Sequence, residues 1–290
     1  MERCRFIAEH RTRWSVVEMC QVLEVSRSWF YDWCRQPESA RTVQTRCLDE
    51  DIQRLFTAHK GRSGSPKITR LLRQEGWTVG QNRVANRMRK MGLRCKIRRA
   101  YRTTTDSRHA YPVAPNRLQR NFTVSGPDQV YVSDITYLRT RRGWLYLTVI
   151  LDLYSHLVVG WALSPSLSHH AVLKALRRAL RWRQPAHGLV FHSDRGVQYA
   201  CTGFQKELEA HGLVCSMSRK ADPWDNAVAE SFFSILKSEL VYHTIWEGYF
   251  DAHQDLFEYL EVYYNTKRIH SSLGWTTPVQ FDAMAATMAA

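Results

Sequence analysis

Three strand-like stretches in close succession constrain this chain more than any other feature. "QVYVSDITYLR" (129–139) alternates polar and apolar residues as a half-buried strand does, and "GWLYLTVILDLYSHLVVGWALS" (143–164) reads as two apolar strands joined near Asp152 and Tyr154. A helix follows in "SHHAVLKALRRALRWR", then a short buried strand "GLVFHSD", a helix in "TGFQKELEAHG", a strand in "VCSMS" and a helix in "DNAVAESFFSILKSEL". That order predicts an α/β core over 125–245, a mixed, partly parallel sheet flanked by helices. The remaining residues, 246–290, read as a helical tail.

The first part of the chain has a different pattern. Residues 14–35 read as helix, short turn, helix, with Ser26 as N-cap of a helix carrying Trp29, Phe30 and Trp33. A second such unit follows the breaker "KGRSGSP", and in its last helix Arg83, Arg87 and Lys90 share one face while Val84 and Met88 share another. We therefore divide this all-α region into helix-turn-helix-like segments at 1–45 and 46–95. Residues 96–124, with Pro112 and Pro115, read as a basic linker containing Arg98 and Arg99.

Charge separates the same regions. Residues 1–120 hold 26 Lys and Arg against 11 Asp and Glu, whereas residues 121–290 hold 15 against 16. A basic helical part joined to a near-neutral α/β part points to a polyanion partner, with Arg27, Arg83, Arg87, Lys90, Arg98 and Arg99 as candidate DNA contacts. No uninterrupted apolar run reaches the roughly 18 to 20 residues of a membrane span, and no signal-peptide core opens the chain, so the sequence predicts a cytoplasmic protein without a membrane partner. Seven cysteines without a C-x-x-C pair argue against a disulfide framework and against a thiolate zinc site.

In the helix from 225 to 240, Glu230 interrupts the most apolar part, between Val228 and Phe232. At about 100° per residue, Asn226, Glu230, Ser234 and Lys237 form a polar stripe beside the apolar arc. Asp134 lies in the first strand of the core and Asp194 follows a buried strand. Reactive groups of an open α/β sheet gather where strands end and helices begin. Carboxylates brought together there repel, and a divalent cation removes the conflict. Two such ions about 3.5–4 Å apart suit phosphoryl displacement.

Asp194 lies 60 positions after Asp134 and 35 residues separate Asp194 from Glu230, a spacing that resembles the Asp, Asp, 35, Glu pattern of the retroviral-integrase superfamily. Within it, "HSDRGVQY", "SMSRKADPWDNAVAESFFSILKSEL" and "YYNTKRIHSSLGWTTP" resemble the transposase encoded by the second reading frame of bacterial insertion sequences of family three. The resemblance implies an RNase H-like catalytic core, with Asp134, Asp194 and Glu230 as catalytic metal ligands and two Mg²⁺ (or Mn²⁺) ions per site. It implies double-stranded DNA as substrate: nicking at terminal inverted repeats, then strand transfer by the freed 3′-OH into target DNA. It further implies a nucleoid-associated homo-oligomer, at least a dimer when two ends are joined, and a first-frame product as fused or separate partner. Many relatives read Gly-Asn-Cys-Tyr-Asp-Asn where this chain has "ADPWDN" at 221–226.

Asn226, Lys237, Arg268 and His270 are further candidate DNA contacts. His192 and Ser193 read as strand packing and Asp152 as a turn residue. Two other functions fit parts of the sequence: a catalytically inert DNA-binding regulator of transposition, and a tyrosine recombinase using Tyr263 or Tyr264 beside Arg268 and His270. The latter leaves the three carboxylates without a role.

Overall fold

A computed structural model describes residues 2–35, 39–96, 114–118, 123–219 and 226–288. Contacts divide it into two compact units, Met1–Arg54 and Leu55–Ala290. In the first, α1 (Glu2–His10), α2 (Val16–Val22) and α3 (Arg27–Arg35) close around Cys4, Ile7, Met19, Cys20, Val25 and Phe30. Ser26 caps α3 as its position predicts, its hydroxyl accepting the Trp29 N–H at 3.4 Å. The helix α4 (Ala40–Ala58) contains the boundary between the units.

The second unit begins with α5 (Ser65–Gln74), which has Pro66 in its first turn, and α6 (Gln81–Lys90). Val84 and Met88 are buried on α6, while Arg83 and Lys90 are exposed on its outer side. Then come β1 (Val130–Thr140), β2 (Gly143–Asp152), β3 (Val158–Ser164), α7 (His169–Arg183), β4 (Val190–Ser193), α8 (Val197–Ala200), α9 (Thr202–Ala210), β5 (Val214–Met217) and α10 (Ala227–Glu239). After α10 follow α11 (Tyr249–Phe257), a π-helical continuation over Glu258–Tyr264, and α12 (Pro278–Met288). The sheet order is β3-β2-β1-β4-β5, with β1 to β3 antiparallel and β4 and β5 parallel to β1. This is the mixed sheet the strand grammar predicts.

Alternation along β1 divides the core into two layers. Val130, Val132 and Leu138 belong to the layer of Phe232, Leu236, Leu256 and Tyr259 on the α10 and α11 side, whereas Tyr131 faces the layer of α7, α8 and α9. The latter layer packs closely because Gly160 of β3 has no side chain: a Cβ there would stand 2.3 Å from the Ala175 carbonyl of α7.

Candidate active site

The parallel pairing of β1 with β4 matches Val130 to Val190 and Ser133 to Ser193. One step further along each strand come Asp134 and Asp194, neighbours across a strand spacing of about 4.8 Å. Their even-numbered positions place both on the face that α10 covers. Asp134 Oδ1 accepts the Ile135 N–H at 2.7 Å, and Asp194 Oδ1 accepts the Gly196 N–H at 2.9 Å. A Cβ on Gly196 would lie 2.9 Å from that same Asp194 oxygen, so glycine leaves the room in which the carboxylate turns back. Sequence reading passed over Gly196, although "SDRG" places it two residues beyond the acid.

Burial, followed by the neighbouring Asp194 charge, pushes the Asp134 carboxyl up to about 8. Glu230, in the first turn of α10, is exposed and its pKa is raised by desolvation. Its charge reaches Asp134, yet among the described residues no three His, Cys, Asp or Glu side chains are close enough together to hold a metal ion. The structure thus brings Asp134 and Asp194 together and leaves Glu230 beside them. A third carboxylate in the same place would add repulsion, and an exposed first turn lets Glu230 face water instead. Two hard oxygen donors whose charges oppose each other fit a divalent cation, which would remove that opposition. Lys237, two turns further along α10, is half-buried; burial lowers its pKa and the Asp134 charge acts in the other direction.

Other candidates separate clearly. Arg27 is exposed at the start of α3, and Arg87 is half-buried between the exposed Arg83 and Lys90. Arg98, Arg99 and most of the 96–124 linker lie outside the described residues, as do positions 221–225 of the "ADPWDN" stretch. His192 is fully buried and bonds through Nδ1 to Ser216 Oγ at 2.9 Å, a contact between β4 and β5. Asp152, also fully buried, accepts the N–H groups of Asp128 and Ser155 at 2.9 and 2.8 Å and shapes the turn after β2.

Three candidate DNA contacts are corrected. Arg268 and His270 are 7% and 6% exposed and point inward. Arg268 donates to Glu239 through Nε at 3.1 Å and Nη2 at 3.0 Å, while Lys67 and Tyr259 reach the same carboxylate at 3.4 and 2.9 Å. His270 lies against Arg268 Nη1, and burial with that cation holds its pKa far down. Asn226 is 7% exposed, so it too lacks the surface a DNA contact needs. Tyr263 and Tyr264 are each 2% exposed, which removes the surface nucleophile a tyrosine recombinase requires.

Comparison with known proteins places residues 44–101 in an HTH-like domain family and residues 124–223 and 211–278 in integrase core domain families. The transposase InsF for insertion sequence IS3A of Escherichia coli is 38% identical over 279 residues, which are 96% of this chain and 97% of that protein. The 31 kDa protein of insertion element IS600 of Shigella sonnei is 39% identical over 272 residues, 94% of this chain and 100% of that one. Among solved structures, the simian T-cell lymphotropic virus intasome in complex with PP2A regulatory subunit B56 gamma aligns with a TM-score of 0.47 at 16% identity, covering 80% of this chain and 74% of that one.

Proposed function

Because the chain belongs to the IS3 family of insertion-sequence transposases, we propose that it nicks DNA at the terminal inverted repeats of its own element and transfers the freed 3′-OH strand into target DNA. The observation that carries this reading is the adjacent Asp134–Asp194 pair, whose ionisation is opposed from within. Asp134 and Asp194 hold Mg²⁺ or Mn²⁺ ions, two per site, and Glu230 joins them from α10 as the third catalytic ligand. When bound, such ions activate an attacking oxygen and stabilise a leaving one.

The chain's own groups prepare that chemistry. The N–H groups of Ile135 and Gly196 orient the two carboxylates, fixing their oxygens before substrate arrives. Lys237 stands near Asp134 and offers a cation to the phosphate at the site. Arg83, Arg87 and Lys90 of α6, with Arg27, Arg98 and Arg99, bind the DNA backbone and hold the protein on its repeat. Two ends joined in one event require at least a dimer, and a first-frame product acts as fused or separate partner.

Cleavage of a labelled terminal-repeat duplex in Mg²⁺ or in EDTA, for wild type and Glu230→Gln, tests the reading. Metal-dependent nicking that leaves a 3′-OH and vanishes in the variant is expected. Binding without nicking in every metal, alike for both proteins, would overturn it in favour of an inert DNA-binding regulator.

A further inference from the structure

Beside the carboxylate pair lies a surface that neither the metal chemistry nor the basic helices account for. The end of the β1–β2 hairpin and the residues around and after the end of α10 line one open groove of about 750 Å³. Trp144 stands in it 50% exposed, Tyr137 38% and Ile245 76%. Tyr137 and Trp144 meet edge to face with ring centroids 6.5 Å apart, and Tyr146 supports Tyr137 at 5.0 Å. Large apolar side chains left in water together and rimmed by charge mark a binding surface.

The charges in the groove are cationic. Arg141 is paired with Glu247 at 3.2 Å, whereas Arg139 and Lys237 make no ion pair among the described residues. The Arg139 guanidinium lies 5.5 Å from the Trp144 ring centre, which holds that ring from one side. The groove adjoins the helix of the reaction centre: Lys237, which lines it, lies seven residues after Glu230 on α10.

Flat aromatic faces joined to cations are complementary to a base joined to a phosphate. Inside a duplex both faces of each base are hidden in the stack and a terminal pair offers only its outer face, so a ring set in a groove among cations is best filled by a base drawn out of its pair. We propose that the groove binds an unpaired nucleotide at the DNA end being processed, its base stacked on Trp144 with Tyr137 against the base edge and its phosphate on Arg139 and Lys237. This rests on the DNA-processing reading of the carboxylate pair and adds to it a device that draws one strand away from its complement beside Asp134.

The test compares two duplexes of one sequence, one blunt and one with its last bases mismatched, each carrying 2-aminopurine at the end, bound to the full chain in EDTA. The mismatched end is expected to bind at least about fivefold more tightly, the lower limit for one stacked base, with quenched 2-aminopurine fluorescence. Trp144→Ala should lose both the preference and the quenching, Trp144→Phe should keep most of each, and unchanged thermal melting of both variants excludes a folding defect. Arg139→Gln should weaken both duplexes and reduce the salt slope by about 1. Equal affinity for the two ends without quenching, or a preference that survives Trp144→Ala, would overturn the proposal. Because binding is read in EDTA, the two readings fail separately. A Trp144-dependent preference in a protein that never nicks would sink the carboxylate reading alone, and nicking without the preference would sink the groove alone.

Discussion

Two acidic regions on one face of the sheet resolve the same problem in opposite ways. At Glu239, the last residue of α10, burial works against the charge, but Arg268, Lys67 and the Tyr259 hydroxyl more than offset it and hold the carboxyl below its ordinary range. At Asp134, burial and the Asp194 charge act together and hold the carboxyl above its ordinary range. One acid is supplied with cations by its own chain. The other faces a second acid. A buried carboxylate therefore reads as structural or chemical according to who provides its counter-charge, and burial alone does not distinguish them.

The largest effect that could break this contrast is on catalysis. Asp134→Asn should lower the nicking rate by about 10³-fold or more, about 4 kcal/mol of transition-state stabilisation, while raising thermal stability. The sign follows from the direction of the shift. A carboxyl raised in the folded state keeps a proton that the unfolded chain releases, so folding loses stability as pH rises from the ordinary Asp value to about 8. Calorimetric melting across that window should fall with pH in wild type and flatten in Asp134→Asn; parallel curves would refute the contrast.

Next in size is the loss of Glu239's partner. Arg268→Met leaves the buried acid with Lys67 and the Tyr259 hydroxyl and should cost about 3–5 kcal/mol in urea unfolding, with part recovered in the double variant Arg268→Met/Glu239→Gln. The pH dependence here has the opposite sign. A carboxyl lowered in the folded state contributes stability that is present above the ordinary Glu value of about 4.3 and is lost as pH falls below it. Acid titration of unfolding should show that loss in wild type and not in Glu239→Gln.

Metal binding sharpens the comparison with a smaller effect. Mg²⁺ at ten times its Kd should stabilise wild type by about 1.4 kcal/mol, do so equally in Glu239→Gln, and do nothing in Asp194→Asn. The smallest effect belongs to the basic face of α6. Arg83→Gln and Lys90→Gln should each reduce the salt slope of DNA binding by about 1 and leave melting unchanged.

The sequence made the sheet legible because each strand announces itself locally. Alternation marks 129–139, and apolar runs mark the next two strands; Asp134 lies within the first strand and Asp194 just beyond β4. Asp134, Asp194 and Glu230 are candidates by position, and the adjacency of the first two follows once β1 and β4 pair. The Glu239 cluster was not legible. Its members are separated by 20, 29 and 172 residues, and no local pattern relates Tyr259, Arg268 or Lys67 to Glu239. Arg268 and His270 therefore read from sequence as candidate DNA contacts. The π-helical turn over Glu258–Tyr264 was hidden for a related reason: it follows α11 with no Gly or Pro to mark it, and packing inward of Tyr259, Tyr263 and Tyr264 decides its register.

The strand β4 has only four residues, yet it decides which side of the sheet Asp194 serves. Side chains along a strand alternate, so the site obeys a rule of parity. Removing one residue between Val190 and Ser193 would turn Asp194 towards α7 and away from Asp134, even with every residue of the site still present. Removing two would keep the facing and shift the acid along its neighbour instead. Length changes in the turn before β4 are free of that rule, because the pairing of Val190 with Val130 resets the count before the acid is reached.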